Sequence, residues 1–332
     1  MPTTSFTFVL PALNASGPLF ERALRSIRSQ DYPRELVEII VADGGSTDST
    51  IADAERHDAR VIPNPNRLAE WGVKEGMLVA TGDIVVVFAA DNELVRPNWL
   101  SAVAVLFERD PELAAVYGRL ASGDDDPALN KYVALIQSEP LNWFLNRNLE
   151  TYLEHATRDD HGFAHFEVDP ARPLVWGANG LAVRRSFALP AWQRPGYVAD
   201  VDAFHATVRA GHRRVAYLPR PFVYHHQVAT LGDYRRKWRR NAVQHLVEQS
   251  DDRDLDWVLV PGFRRRAVLW GIYSVIPVFS TADALRRAVA DRSIYWLYHP
   301  VVTFLQAVTY AQALAGSSAG RGLLRQAWSR PG

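Results

Sequence analysis

The chain has 332 residues, 48% of them hydrophobic, with 37 basic and 37 acidic side chains and no cysteine. That is enough apolar material for one large core, or one core with an appendage, and it excludes a disordered chain. A formal net charge of zero removes any global attraction to nucleic acid, and the missing cysteines exclude disulfides, thiolate metal sites and cysteine nucleophiles.

Met1-Pro2-Thr3-Thr4-Ser5 lacks the basic and apolar regions of a secretory signal, so the working domain is expected on the cytoplasmic side. The run from Thr7 to Ala12 then reads as a buried strand ending in a polar loop at Leu13-Asn14. Leu19, Ala23, Leu24 and Ile27 recur at helical spacing, and Pro33 stops that helix before a second strand, Glu38 to Ala42. This strand runs into Asp43-Gly44-Gly45-Ser46-Thr47-Asp48. A helix over Ser49 to His57, a short strand at Val61-Ile62, a fully buried strand over Ile84 to Phe88, a helix over Trp99 to Glu108 and a strand over Ala114 to Tyr117 follow. Strands alternating with helices predict a parallel sheet that presents loops at its carboxyl edge. Neither a G-x-G-x-x-G dinucleotide fingerprint nor a P-loop is present.

Farther along, Asn130 to Glu154 is mostly helical and broken near Pro140, and Arg158 to Pro173 is polar and expected to be mobile. In Trp176-Gly177-Ala178-Asn179-Gly180, glycines flank an aromatic and an amide, which suits a loop approaching a ligand before it enters a strand. Trp176, Asn179 and Arg184 are candidates for an acceptor wall. A helix is predicted from Asp200 to Gly211, and a buried strand at Phe222-Val223-Tyr224 ends in His225-His226. Between Asp233 and Val247, an apolar stripe of Tyr234, Trp238, Ala242 and Leu246 leaves Arg235, Arg236, Lys237, Arg239 and Arg240 on a basic face suited to a diphosphate or lipid phosphate. Past residue 255, Ala267 to Phe279 and Ile294 to Leu314 are apolar, but each is interrupted by proline or polar residues and neither is a clean span of roughly 20 apolar residues. Aromatic residues beside Arg264-Arg265-Arg266 favour helices lying at a membrane surface over a lid or a transmembrane hairpin.

Pro11-Ala12-Leu13-Asn14-Ala15, the Asp43 to Asp48 loop, Ala89-Ala90-Asp91 and Ala199-Asp200 occur in an order that resembles the family 2 glycosyltransferases of the GT-A type, over roughly residues 5 to 245. The resemblance implies a Rossmann-like α/β fold with a mostly parallel central sheet, and C-terminal amphipathic or membrane-associated helices. Residues 1–245 would be the catalytic domain and 246–332 a helical tail. It implies an inverting transfer from a nucleoside-diphosphate sugar, its sugar and base left open with uracil and guanine both fitting the pocket, to a hydroxyl acceptor. That acceptor would be a lipid-linked saccharide or growing polysaccharide at the cytoplasmic face of the cell membrane, with no nucleic-acid partner.

The resemblance also assigns roles. Pro11, Asn14 and Asp43 would hold the nucleoside; Lys74, Asp91, Asn92, Arg236 and Trp238 would serve the rest of the donor. Asp91 and His225, the latter with His226 as rival, would bind Mg²⁺ or Mn²⁺, and Asp200 would be the general base, with Asp202 one face away. For Asp43, Asp48 and Asp200 the competing reading is a helix cap or turn, and for Lys74 a surface lysine. Alanine occupies three familiar acidic positions, Ala15, Ala89 and Ala199. The alternatives left open are a soluble transferase for a small molecule or protein, and a noncatalytic carbohydrate-binding protein.

Overall fold

The computed structural model describes residues 3–137, 139–145, 148–174, 179–249, 252–253 and 262–329. The chain divides into two compact units, residues 1–121 with 148–226 and residues 122–147 with 227–332, so the division does not follow a single cut near 245.

The first unit is built on one sheet of ten strands: β1 Phe6–Ala12, β2 Val37–Asp43, β3 Arg60–Pro63, β4 Ile84–Val87, β5 Asn92–Leu94, β6 Leu113–Ala121, β7 Thr157–Arg158, β8 Ala164–Glu167, β9 Leu181–Arg184 and β10 Arg214–His225. Their order is β3-β2-β1-β4-β9-β6-β10-β8-β7, with β5 added onto β10. The expectation of a mostly parallel sheet is corrected. β3, β2, β1 and β4 are parallel, and β6 is parallel to β10, but β9 runs antiparallel to both β4 and β6, and β5 and β8 run antiparallel to β10. Apolar runs such as Ile84–Val87 announce burial on both faces and carry no information about direction. The segment from Arg158 to Pro173 is corrected too: β8 pairs with β10 through Ala164↔Tyr217 and Phe166↔Val215.

Strand alternation divides the core between the two faces. Phe6, Phe8 and Leu10 of β1 pack on one side with Phe20, Leu24 and Ile27 of the helix Pro18–Arg28, while Val9 joins Val73 and Met77 on the other. The return connection from β3 to β4 is the helix Ala69–Val79, and it lies unusually close to β1. A Cβ on Gly76 would stand 2.2 Å from Val9 Cγ1, and one on Gly72 would stand 2.9 Å from Pro11 Cβ. Two glycines one helical turn apart therefore match two strand residues on one face, and backbone meets strand with no side chain between.

The second unit is helical. Leu129, Tyr132, Val133 and Ile136 of the helix Ala128–Ile136 pack with Tyr234, Trp296 and Val302, and Trp143 and Trp238 close the cluster. Thr230 starts the helix Leu231–Asn241 with a capping box: its hydroxyl accepts from the Asp233 N–H, and the Asp233 carboxylate accepts from the Thr230 N–H. The core carries a polar seam. His299 is fully buried and shares hydrogen bonds with the Tyr132 hydroxyl at 2.8 Å and the Tyr273 hydroxyl at 2.7 Å. The Tyr310 hydroxyl donates to Glu139 at 3.1 Å. Burial pushes Glu139 up to about 8 and His299 down to about 4.

These features give two expected outcomes. Gly76→Ala should lower stability in urea by about 1–3 kcal/mol through overpacking against Val9, whereas Gly271→Ala, where an added Cβ meets nothing within 4 Å, should be neutral or stabilising. Glu139 holds a proton in the folded state that the unfolded chain has lost, so its contribution falls as pH rises from 4.5 to about 8. His299 refuses a proton that the unfolded chain binds, so its contribution falls as pH drops from 6.5 to about 4. The two oppose each other below 6.5. Thermal melts should therefore show the wild type losing stability between pH 6.5 and 8 relative to Glu139→Gln.

Candidate active site

Because β1, β2, β3 and β4 are parallel, their carboxyl ends lie along one edge of the sheet, and the strand order places the chain reversal between β1 and its neighbours. Loops leaving such strands diverge and open a crevice at that edge. The amino end of β9 and the carboxyl ends of β6 and β10 reach the same edge by their pairing directions.

The β1 and β2 loops are stitched to each other. The Asn14 N–H donates to Ser46 Oγ at 2.8 Å, and Asn14 Oδ1 accepts from the Thr47 N–H at 2.8 Å. Asn14 takes a left-handed backbone, φ 49°, to do so. Asp43 is buried and accepts from the Gly45 N–H at 2.9 Å, the Ser46 N–H at 3.0 Å and the Ser46 hydroxyl at 2.5 Å. Its carboxylate thus shapes its own loop, and Pro11 sits two positions inside the same edge, beside Ala42. Asp48 accepts from the Thr50 hydroxyl, which holds it below the usual carboxylate range, and from the Ser16 N–H. Asn64 was not singled out from sequence. It is buried at the end of β3, where its N–H donates to Asp43 O at 2.7 Å and its side chain donates to Leu68 O at 2.9 Å. An asparagine directly after a short strand is the signal that marks it.

After β4 the chain turns through Asp91 into β5, and β5 pairs antiparallel with the end of β10 in the register Asn92↔His225, Glu93↔Tyr224 and Leu94↔Val223. This ladder brings Asp91 Oδ1 to 3.4 Å from His225 Nε2. The rival histidine has another place: His226 Nε2 lies 3.3 Å from Glu93 Oε2, and its N–H donates to Asp91 O at 2.9 Å. Asn92 is fully buried; its Nδ2 donates to Asn179 Oδ1 at 3.4 Å, and among the described residues its Oδ1 accepts no hydrogen bond. Gly180, φ 76°, lets this loop pass β10, since a Cβ there would stand 2.5 Å from Val223 Cγ2.

Asp200 is the first residue of the helix Asp200–Arg209, following extended Ala199, and its Oδ1 accepts from the Val201 N–H at 2.7 Å. It lines a small, mostly apolar pocket with Val87 of β4, Leu181 of β9, Met77, Trp192 and Phe204. Burial first, then Tyr217 and Asp200, hold the Tyr117 phenol well above its usual range. Asp202, the weaker candidate for the base, is buried in the same first turn.

Lys74 is neither on the surface nor facing outward. It is buried in the helix Ala69–Val79, its ammonium donates to Arg194 O at 2.6 Å and Gly196 O at 2.5 Å, and it sits 5.0 Å from the Trp71 ring centroid. It thereby anchors the segment that leads into Asp200. Arg184 is corrected as an acceptor-wall residue. It lies opposite Ile84, at the amino end of β4, and its guanidinium donates to Phe107 O, Asp110 O and Leu113 O. Trp176 and Gly177 lie outside the described residues. Arg236 and Trp238 belong to the second unit, in the helix Leu231–Asn241, where Arg236 is exposed and pairs with Asp233 while Trp238 packs on Tyr234.

Among the described residues no group of three or more His, Asp or Glu side chains gathers as a metal cage. A cation held here would have Asp91 and His225 as protein ligands, with room for oxygen ligands from elsewhere. Cis ligands around Mg²⁺ or Mn²⁺ stand about 3 Å apart, close to the Asp91–His225 separation, and carboxylate with imidazole suits Mn²⁺ in particular.

Residues 7–169 match the family model described as glycosyl transferase family 2. A dolichyl N-acetyl-alpha-D-glucosaminyl phosphate 3-beta-D-2,3-diacetamido-2,3-dideoxy-beta-D-glucuronosyltransferase of Methanococcus voltae is 26% identical over 123 residues, which is 34% of this chain and 38% of that protein. In structure the chain is similar to a mannosyltransferase of Pyrobaculum calidifontis solved with GDP-Man and Mn²⁺, with a TM-score of 0.55 and 19% identity over 93% of this chain and 87% of that one. It is also similar to S. aureus TarS 1-349, with a TM-score of 0.51 and 14% identity over 94% and 92% of the two chains. The match over residues 7–169 identifies that stretch as a glycosyl transferase family 2 domain, and the sheet order and the structural likeness give it the GT-A fold.

Proposed function

We propose that the protein transfers a sugar, with inversion, from a nucleoside-diphosphate sugar to a hydroxyl on a lipid-linked saccharide or growing polysaccharide, and that it works as a peripheral or monotopic protein at the cytoplasmic face of the membrane. The observation that carries this reading is the convergence at one sheet edge of a carboxylate–imidazole pair, Asp91 and His225, with a carboxylate at a helix start, Asp200.

In this reading the nucleoside lies on the β1 and β2 loops, against Pro11, Asn14 and Asp43. Asp91 and His225 would hold Mg²⁺ or Mn²⁺, and such an ion would supply positive charge to offset that of the diphosphate. Buried Asn92, whose Oδ1 accepts no hydrogen bond among the described residues, would offer that oxygen to a donor hydroxyl. Asp200 takes the proton of the acceptor hydroxyl as oxygen attacks the anomeric carbon and the carbon–diphosphate oxygen bond breaks on the opposite side. One displacement of this kind inverts configuration. The apolar wall around Asp200 excludes water and so strengthens a carboxylate that is a weak base in solution. Lys74 enters as an anchor of the Asp200 segment, and Arg236 and Trp238 as donor contacts through their motif position alone. A lipid-linked acceptor is supported by the name of the Methanococcus voltae relative, and a metal by the Mn²⁺ in the Pyrobaculum calidifontis structure.

Two measurements test the roles. Asp200→Asn should reduce turnover about 10²–10⁴-fold in transfer of labelled sugar from a nucleotide-sugar panel into extractable lipid, with donor binding by calorimetry unchanged. Loss of binding along with turnover would make Asp200 a structural residue. Asp91→Ala and His225→Ala should each weaken Mn²⁺-dependent binding of a nucleoside diphosphate at least about tenfold, since even outer-shell partners of a metal contribute that much. Unchanged metal dependence in both variants would move the cation away from this pair.

A further inference from the structure

The helix Phe263–Val275 has 13 residues and the helix Pro277–Ala290 has 14, and they meet at an 85° bend. Sequence explains the break: Pro277 has no N–H to give the preceding turn, and it drives Ile276 into an extended conformation, φ −96° and ψ 97°. The bend is stapled from inside. Tyr273 of the first limb donates to Asp283 of the second at 3.1 Å, Asp283 accepts from Arg286 and Arg287, and buried His299 holds the Tyr273 hydroxyl. Trp270, Ser274, Ser280 and Ala284 face inward and are buried.

The outer side of the bend is apolar and exposed. Val275 is 59% exposed, Ile276 45%, Val278 63% and Phe279 52%, at the point where the limbs meet. Charge is placed at the far ends: Arg264, Arg265 and Arg266 begin the first limb, and Arg286, Arg287 and Arg292 lie at the end of the second. Residues 262–329 carry eight arginines, no lysine and two aspartates, in a chain whose net charge is zero. This stretch is therefore strongly cationic while the remainder is anionic.

We infer that the bent pair is a wedge that inserts its Ile276–Phe279 apex into one leaflet of an anionic phospholipid bilayer, with exposed Arg265 at one outer end and Arg292 at the other on lipid phosphates, while Arg286 and Arg287 remain on Asp283. The inference rests on the membrane placement proposed above and deepens it by naming the element, the lipid class and the depth. Each limb is about 20 Å long, so limbs tilted by about 45° carry the apex about 14 Å below their ends, half of a hydrocarbon core about 30 Å thick. With the limb ends at the lipid phosphates, that geometry carries the apex into the hydrocarbon of one leaflet, short of the bilayer midplane, and does not cross it. No single helix among the described residues is long and apolar enough to cross a membrane. Charge complementarity selects an anionic surface over a neutral one, since each arginine near such a surface adds roughly 1 kcal/mol.

The test uses the full chain with sealed vesicles of phosphatidylcholine, alone or mixed with phosphatidylglycerol, and binding is read by flotation. Wild type should bind the mixed vesicles about tenfold or more tightly than the neutral ones. The double substitution Val278→Ser, Phe279→Ser should weaken binding to both, and Arg265→Glu with Arg292→Glu should abolish only the preference for anionic lipid. All four positions are exposed, and unchanged melting curves would exclude misfolding as the cause. The cysteine-free chain permits a topology measurement. Arg265→Cys and Val289→Cys should both react with an impermeant maleimide added outside, and Phe279→Cys should be shielded once vesicles are present. Protection of one end alone would mean a crossing segment, which overturns the wedge and leaves the membrane placement standing. Vesicle binding that none of these substitutions alters would place the attachment elsewhere and likewise overturn only the wedge. Absence of binding to either vesicle, with concentration-dependent self-association in sedimentation, would make this face a contact between copies and overturn both.

Discussion

Three residue pairs of antiparallel ladder, Asn92↔His225, Glu93↔Tyr224 and Leu94↔Val223, hold Asp91 and His225 side by side at the sheet edge. Asp91 and His225 are separated by more than a hundred residues, and a carboxylate placed beside an imidazole on two unconnected loops would be a weak, mobile arrangement. The ladder instead fixes both backbones, and strand alternation then decides which histidine meets which acid. His225 lies beside Asp91, and His226 beside Glu93, so the second pair helps define the position of the first. Asn92 of this ladder is buried against Asn179, and the pairing of β9 with β4 brings the start of β9 to the same edge.

Close backbone packing supports that edge from beneath. Gly72 and Gly76 let the helix Ala69–Val79 lie directly on β1, and this helix supplies Lys74, whose buried ammonium grips the carbonyls of Arg194 and Gly196. Burying an ammonium costs several kcal/mol unless it is well paired, and two carbonyls with an aromatic face are a direct way to satisfy it. The consequence is mechanical: the segment entering Asp200 is tied to the helix that packs against β1 and β2 below their carboxyl-end loops. In the second unit, aromatic hydroxyls, His299 and Asp283 form a polar interior, while Val275 to Phe279 lie outside.

Residue patterns made much of this legible. The strands at Phe6–Ala12, Val37–Asp43 and Ile84–Val87 and the helix starting at Asp200 are visible as apolar runs, loop chemistry and spacing, and Asp91, His225 and Asp200 are identifiable as chemically apt side chains at strand or helix ends. Strand direction, the pairing of 164–167 with β10, the burial of Lys74 and the remote position of Arg184 are not legible in the same way. Each depends on partners about fifty to more than a hundred residues away, and local periodicity reports burial without naming the neighbour.

The sequence by itself determined where strands end, which polar residues follow them and where proline breaks the C-terminal helices, because backbone propensity, capping and side-chain alternation act within a few residues. Only the tertiary structure decided that His225 and not His226 faces Asp91, that Asp43 spends its carboxylate on its own loop, and that the two apolar limbs meet at 85° with their apex outward. Those outcomes come from ladder register, close packing at glycine and a buried hydrogen-bond seam, and each of these exists only once distant segments of the chain have met.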